Sequence, residues 1–231
     1  MNNNKQIGET NRERVGRFIE AGVLMEDPSS VYISEETVIA SGTTLLPGVL
    51  LRGKTIIGAG CTIGPNTQID SCTVGNNTTV NASQLYESRI GNDVNIGPFA
   101  HIRPNCNVGD RVRIGNFVEI KNSNIGSDTN ICHLTYVGDS DVGSRVNFGC
   151  GTVTVNYDGT KKHRTKIADH VFIGCNSNLI APVELCEHAY IAAGSTITDT
   201  VPEASLAIAR ARQVNKKDWT RHKGKDTSSK K

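Results

Sequence analysis

Aliphatic residues recur along this chain at a step of six. Ile39, Leu45, Leu51, Ile57, Ile63 and Ile69 open the series, and a contraction of one residue leads to Val74 and Val80. Leu85 and Ile90 follow at steps of five, and the step of six returns through Ile96, Ile102, Val108, Ile114 and Ile120. Ile125, Ile131 and Val137 follow another contraction, Val142 and Phe148 a further one, and Ile167, Ile173, Leu179, Leu185, Ile191 and Ile197 close the run. Glycine often follows the aliphatic, as in IGAG, IGND and IGNF. This period fits neither the 3.6 of an amphipathic helix nor the 2 of an alternating strand. It fits a parallel β-helix of hexapeptide repeats, in which each unit makes one short side of a triangular coil. The aliphatic points inward, and Gly, Asn or Asp is expected where a turn needs positive φ.

The ends read differently. Residues 9–25 carry Val15, Phe18, Ile19 and Val23, with Ala21 at the margin, toward one helical face, and Asp27-Pro28 stops that helix. We divide the chain into a leader helix (1–32), the β-helix (33–203) and a C-terminal arm and tail (204–231). A β-helix has open strand edges at both ends, so leader and tail are candidate caps. The tail after Arg210 is basic, and its end, KDTSSKK, reads as disordered. One interruption stands out. Thr154 and Ile167 lie thirteen apart, so a loop of about seven extra residues, containing NYDGTKKHRT, leaves the coil there. Loops on a rigid scaffold are common functional sites.

Three units make a coil, so each aliphatic can be assigned a side. Ile102, Ile120 and Val137 stack on side one; Val108, Ile125 and Val142 on side two; Ile114, Ile131 and Phe148 on side three, continued by Ile173 and Ile191 if the loop preserves the count. Two columns of chemistry result. Arg103 and Lys121 each follow the first residue of side one, and Tyr136, ending side three, is placed at the same corner. A guanidinium, an ammonium and a phenol together suit a sugar phosphate. The third position of side three reads His133, Cys150, Cys175 and Ala193, one per coil. Coils stack at about 4.8 Å, so this column is roughly 14–15 Å long, the reach of a pantetheine arm beside a base. Singly, such residues are more often solvated; their joint arrangement is what points to a site.

Composition narrows the setting. Of 231 residues only 5% are aromatic while 23 are glycine, as suits a thin solenoid filled with aliphatics. A net charge of +2 gives no global field for nucleic acid. Cysteines 61, 72, 106, 132, 150, 175 and 186 are odd in number and show no CxxC pair, which argues against a disulfide framework. The N-terminus has no apolar core of a signal peptide, and no stretch reaches membrane-span length. A reduced, soluble, cytoplasmic protein without nucleic-acid or membrane partners is expected.

The segments IGPFAHIRP (96–104), IGNFVEIK (114–121), HLTYVGD (133–139), NFGCGTVTVNYDG (147–159), VFIGCNSNLIAPV (171–183) and AIAR (207–210) make the chain resemble a known family. It is the acetyltransferase half of the bacterial bifunctional enzyme that acetylates glucosamine-1-phosphate and then uridylylates the product. The resemblance covers about residues 15–220. It implies an all-β, left-handed parallel β-helix, a hand that departs from the usual right-handed crossover. It implies acetyl-CoA as cosubstrate, no metal, His133 as general base, and no covalent intermediate. Arg103, Lys121, Tyr136, Asn147 and Lys162 fall at its sugar-phosphate positions. Cys150, Asn156, Tyr157, Cys175, Ala193 and Arg210 fall at its acetyl-CoA positions. It further implies a homotrimer with intersubunit sites, and a place in UDP-N-acetylglucosamine and peptidoglycan precursor biosynthesis.

Relatives commonly carry Ala and Ser where this chain has Cys150 and Cys175, both near-isosteric changes. The sequence lacks the nucleotidyltransferase half, so no uridyltransferase activity is expected of it, and a separate uridyltransferase is a candidate partner. Three alternatives stay open. Another amino-sugar phosphate, such as galactosamine-1-phosphate, is an alternative acceptor. Cys132 beside His133 suggests an acyl-cysteine route. A γ-carbonic-anhydrase-like zinc protein would need His163, His170 and His188 together.

Overall fold

The computed structural model describes residues 9–223. The chain is a left-handed parallel β-helix of about ten turns. Its three sides are parallel sheets of eleven, ten and nine short strands among the described residues. Side one runs from Tyr32–Ile33 to Thr196–Ile197, side two from Val38–Ile39 to Val183–Leu185, and side three from Leu24–Met25 to Leu206–Ala207. The registers are those the period of six predicts: Ile102 with Ile120 with Val137, Val108 with Ile125 with Val142, Ile114 with Ile131 with Phe148. Phe148 continues to Ile173 and Ile191, so the long loop preserves the count.

The aliphatic ladder fills the interior, with Leu45, Leu51, Ile57, Ile69, Ile102 and Ile131 fully buried. A second inward column lies two residues before each aliphatic and was not visible as a pattern of hydrophobicity. It holds small residues, many of them Thr or Ser: Thr43, Ser83, Ser123 and Thr129 are among those buried. Their hydroxyls satisfy corner backbone groups of the next coil. Thr43 Oγ1 accepts from Cys61 N at 3.1 Å and donates to Gly58 O at 2.7 Å, and Ser123 Oγ accepts from Ser140 N at 3.0 Å. Buried backbone donors left without partners would cost about 1–3 kcal/mol each.

The expectation for the turns holds in part. Most glycines that follow an aliphatic do not serve positive φ but let coils approach; Gly64, at φ +112°, and Gly97, at φ +101°, are exceptions. At Gly109 a Cβ would stand 2.8 Å from Ser127 N, inside van der Waals contact. Positive φ falls mainly at the third residue after the aliphatic; Gly, Asn or Asp stands there in many coils, as at Gly48, Asn66, Asp93, Asn105 and Asp128, and other side chains, including Phe99, Arg111, Phe117, Leu134 and His170, stand there in the rest. Stacking of like corners offsets that strain; Phe99 and Phe117 rings lie 5.6 Å apart, nearly parallel.

The leader helix, α1, spans Asn11–Glu20 and not the whole of 9–25. Thr10 and Glu13 form a reciprocal cap at its start, and Gly22, at φ +90°, ends it early so that Leu24–Met25 can pair with Thr44–Leu45. Val15 and Phe18 are buried as expected, but Ile19 is 43% exposed. Arg14 takes the buried place instead, donating to Ile33 O at 2.6 Å and pairing with Glu9 at 3.1 Å. The helix thus supplies donors to carbonyls at the open end of the first coil. At the other end, residues 211–221 are exposed and a short helix, α2, covers Trp219–Lys223. The KDTSSKK segment lies outside the described residues.

All seven cysteines are free thiols, and burial pushes the Cys72 thiol up to about 12. Among the described residues no helix is long and apolar enough to cross a membrane.

Ile131→Ala should cost about 2–5 kcal/mol of unfolding free energy, because the coil has no slack to refill that space. Gly109→Ala should be destabilising too, although glycine-to-alanine exchange at an unstrained site is normally neutral or favourable. Urea unfolding of the two variants checks both; a wild-type midpoint for Gly109→Ala would refute the close-approach role of that glycine.

Candidate active site

The chemistry-bearing residues gather along two edges of side one. At its far edge, Arg103 and Lys121 stand in register on successive coils, because Ile102 pairs with Ile120. Arg103 donates from Nη1 to Glu119 Oε1 on the next coil at 2.9 Å, and this carboxylate raises its pKa further. Lys162, from the loop, comes against Lys121. Its ammonium is the main reason that Lys121 titrates below the ordinary lysine range, with desolvation second; Asp139 opposes the shift. Two ammonium groups are therefore held together with Arg103 close by, an arrangement that favours a multiply charged anion.

Tyr136 requires a correction. It opens the side-one strand Tyr136–Gly138, paired with Glu119, and does not end side three. The sequence assignment placed each unit's start at the aliphatic, whereas the strand begins one residue earlier. The phenol nevertheless reaches the cationic edge, because its ring lies along the strand over Gly138, where any Cβ would collide with its hydroxyl. Its oxygen is 3.5 Å from Asn156 Nδ2.

The loop is pinned at both ends. Asn156 O accepts from His163 N at 2.8 Å, and Arg164 grips Asp141 with contacts of 2.9 and 2.6 Å. Tyr157 and Lys162 form an antiparallel bridge, with the Tyr157 side chain exposed. Between them, Asp158 accepts from Thr160 N and Lys161 N at 2.8 Å each and contacts His163 Nε2 at 2.6 Å. These partners, the Lys161 amide first, hold Asp158 down to about 2.

At the near edge, where side three turns into side one, the column Asn116, His133, Cys150, Cys175, Ala193 climbs one coil per residue. Asn116 pairs in register with His133, Asn176 N donates to Cys150 O at 2.8 Å, and Gly194 N donates to Cys175 O at 2.8 Å. His133, Cys175 and Ala193 are exposed and Cys150 is half-buried. Gly149 and Gly174 leave no room for a Cβ beneath Cys175 and Ala193. The Arg210 side chain packs by Gly194 at the column's end. Asn147 lies on the outer face of side three, between Asn130 and Phe172, on the His133 side of the molecule.

Asn116 is a candidate site residue that the sequence reading missed. His133 Nδ1 lies 3.0 Å from Asn116 Oδ1, which an Nδ1–H satisfies as donor, leaving Nε2 free to accept a proton. The signal was present: Asn116 holds the third position of its unit, one coil before His133, as the column rule requires.

The two edges are separate. The strand Tyr136–Gly138 lies between them, with the corner residues Leu134 and Asp139 at its two ends, so the backbone carrying His133 and that carrying the cations are roughly 13 Å apart within one chain. Cys132 is in the strand of His133, with its neighbour's side chain turned to the opposite face. The three histidines of the zinc alternative are not gathered. His170 and His188 stack at 4.7 Å, His163 engages Asp158, and among the described residues no group of three metal-ligating side chains occurs.

The family model for bacterial transferase hexapeptide (six repeats) matches residues 87–122 and 164–199. The chain is 57% identical over 209 residues to "Bifunctional protein GlmU" from Geobacillus sp. (strain WCH70), covering 90% of this chain and 46% of that protein. It is 51% identical over 220 residues to the protein of the same name from Clostridium acetobutylicum, covering 95% of this chain and 48% of that one. The chain thus spans about half the length of the curated relatives it matches. A solved UDP-N-acetylglucosamine acyltransferase from Francisella novicida aligns over 80% of this chain and 67% of its own at 18% identity and a TM-score of 0.44, too distant a likeness to bear on function.

The depressed Asp158 carboxyl gives the loop a defined acid response. Its folded value of about 2 lies below an unfolded value near 3.9, so its contribution is complete above about pH 4 and is lost as pH falls through about 2. Protection of the Thr160 and Lys161 amides, corrected for the intrinsic pH dependence of exchange, should fall across that window, and Asp158→Ala should show low protection throughout. Protection that stays constant from pH 5 to pH 2 would contradict this account of the turn.

Proposed function

From a hexapeptide-repeat chain homologous to one half of the bifunctional GlmU proteins, we propose that this molecule transfers an acetyl group from acetyl-CoA to the amine of glucosamine-1-phosphate, giving N-acetylglucosamine-1-phosphate. The observation that carries this is the Lys121–Lys162 pair beside Arg103. Like charges forced together are costly until an anion enters, and a sugar phosphate brings a dianion at a fixed distance from an amine. Tyr136 and Asn147 are proposed to contact the sugar. Cys150, Asn156, Tyr157, Cys175, Ala193 and Arg210 are proposed to receive the acetyl-CoA arm and its phosphates.

His133 acts as general base in this reading. With Nδ1 engaged by Asn116, Nε2 takes a proton from the substrate ammonium, and the amine nitrogen attacks the thioester carbonyl. Collapse of the tetrahedral adduct breaks the C–S bond; the departing thiolate takes the proton held on His133 Nε2, and the adduct nitrogen loses its remaining extra proton to solvent, giving the amide and the CoA thiol. Alignment of amine and thioester contributes at best on the order of 7–11 kcal/mol. Because base and cations occupy different edges, one copy of the chain supplies His133 and a neighbouring copy supplies Arg103, Lys121 and Lys162. A homotrimer arranges three such sites around the triangular coils. Phe99, Phe117 and Leu134, exposed on one corner beside His133, suit such a contact.

Thiol release from acetyl-CoA should be strong with glucosamine-1-phosphate, weaker with galactosamine-1-phosphate, and least with glucosamine, which lacks the phosphate. His133→Ala should lose at least about 100-fold in kcat, the scale of a general base. Equal turnover with glucosamine would overturn the role given to the lysine pair.

Two further outcomes are expected. Inactive His133→Ala and inactive Lys121→Ala subunits, refolded together, should regain activity by forming mixed sites; no recovery in a verified mixed oligomer would place both groups in one chain. Asn116→Ala should lower kcat about tenfold or more with both KM values little changed, since either imidazole tautomer then becomes available.

A further inference from the structure

Beneath the cationic edge lies a carboxylate that neither the base nor the phosphate contacts require. Asp139 is 5% exposed and sits at a corner with φ 49°. One of its oxygens accepts from Asn122 Nδ2 at 2.5 Å, and the other accepts from Asn156 Nδ2. Its backbone is held on both sides, with Asp139 N donating to Lys121 O at 3.0 Å and Thr165 N donating to Asp139 O at 3.1 Å. Asp139 therefore joins the coil below, its own coil and the base of the loop.

The consequence falls on Asn156. This side chain is 8% exposed, and its amide nitrogen is committed to Asp139, with the Tyr136 hydroxyl at 3.5 Å. A carboxylate accepts only, so it can hold the nitrogen end of an amide and never the oxygen end. Asn156 Oδ1 is thereby turned away from Asp139, and it accepts no hydrogen bond from the described residues. An amide oxygen of fixed orientation on a buried side chain next to Tyr136 is a built acceptor for an N–H group.

We propose that Asp139 is a positioning residue: it fixes the Asn156 amide so that Oδ1 receives an N–H donor of the bound substrates. Two donors have that chemistry, the acceptor amine of the sugar and an amide of the CoA arm. The inference rests on the acetyl-transfer reading above. Asp139 acts through Asn156 and touches no substrate itself.

The test compares the full chain with Asp139→Asn, Asn156→Asp and the double swap. In Asp139→Asn the new amide offers a donor as well as an acceptor, so the orientation of Asn156 is no longer dictated. At matched thermal stability, kcat/KM for glucosamine-1-phosphate should fall about 10- to 100-fold, the scale of one buried hydrogen bond. The swap Asp139→Asn with Asn156→Asp restores a single arrangement, in which the amide introduced at position 139 donates to one oxygen of the carboxylate introduced at position 156 and leaves the other oxygen as acceptor. Activity should recover by about tenfold or more over Asp139→Asn. A rise in the acetyl-CoA KM of Asp139→Asn assigns the donor to that cosubstrate; a loss without it assigns the donor to the amine. Asp139 also supports the charge of Lys121, so a loss routed through the phosphate is told apart with glucosamine, which has none: that loss would vanish with glucosamine, whereas the loss expected here persists. Wild-type kinetics in Asp139→Asn, or no recovery in the swap, would overturn the inference while leaving acetyl transfer intact. An unaltered chain that acetylates no amino-sugar phosphate would overturn the functional reading first and this inference with it.

Discussion

Everything in this molecule depends on satisfying the backbone from one coil to the next. A strand of two or three residues gains little alone, and its amides are met only by carbonyls of the coils above and below. That requirement explains the glycines that permit close approach, such as Gly109, and the inward hydroxyls of Thr43 and Ser123 that reach corner amides. It also explains the cap. Arg14 is buried at the first coil because Ile33 O has no preceding coil to supply a donor.

The same stacking gives the site its precision. A residue at a given position of its unit has its counterpart one coil away, about 4.8 Å along the axis. Asn116 therefore meets His133, and Arg103 lines up with Lys121, without any loop having to be ordered for the purpose. Where the coil opens into the loop, precision comes from side chains instead. Asp139, Asp141 and Asp158 are three carboxylates that tie Asn156, Arg164 and the turn in place, and Lys162 is carried against Lys121 as a result. The repulsion built into that lysine pair is tolerable because the surrounding hydrogen bonds, and not the pair, hold the loop.

Some of this was legible residue by residue. The column rule placed His133, Cys150, Cys175 and Ala193 on one edge, and Arg103 with Lys121 on another, from spacing alone. Asn116 was legible by the same rule but went unnoticed because an asparagine in a hexapeptide corner usually serves the turn. Tyr136 was assigned to the wrong side because the boundary between sides was drawn at the aliphatic; its reach to Asn156 depends on Gly138, which hydropathy does not report. Ile19, expected on the buried face, is exposed while Arg14 is buried, because a helical pattern cannot register an unpaired carbonyl in a distant coil.

The coil itself is written in the order of residues: its period, the side each aliphatic occupies before the loop, the contractions, and the place after Thr154 where a loop leaves it. These follow because inward burial repeats at every unit, and repetition averages out the ambiguity of any single residue. Only the fold decided that this loop keeps the count. Which polar groups meet is a matter of three dimensions. Folding brought Lys162 to Lys121, set Asp139 under Asn156, and kept His133 a full side away from the cations. Those outcomes depend on where a non-repeating loop lands and how long side chains lie along a surface. Hydrogen-bond partners of that kind are selected by separations of a few ångströms in space, and no spacing along the chain encodes them.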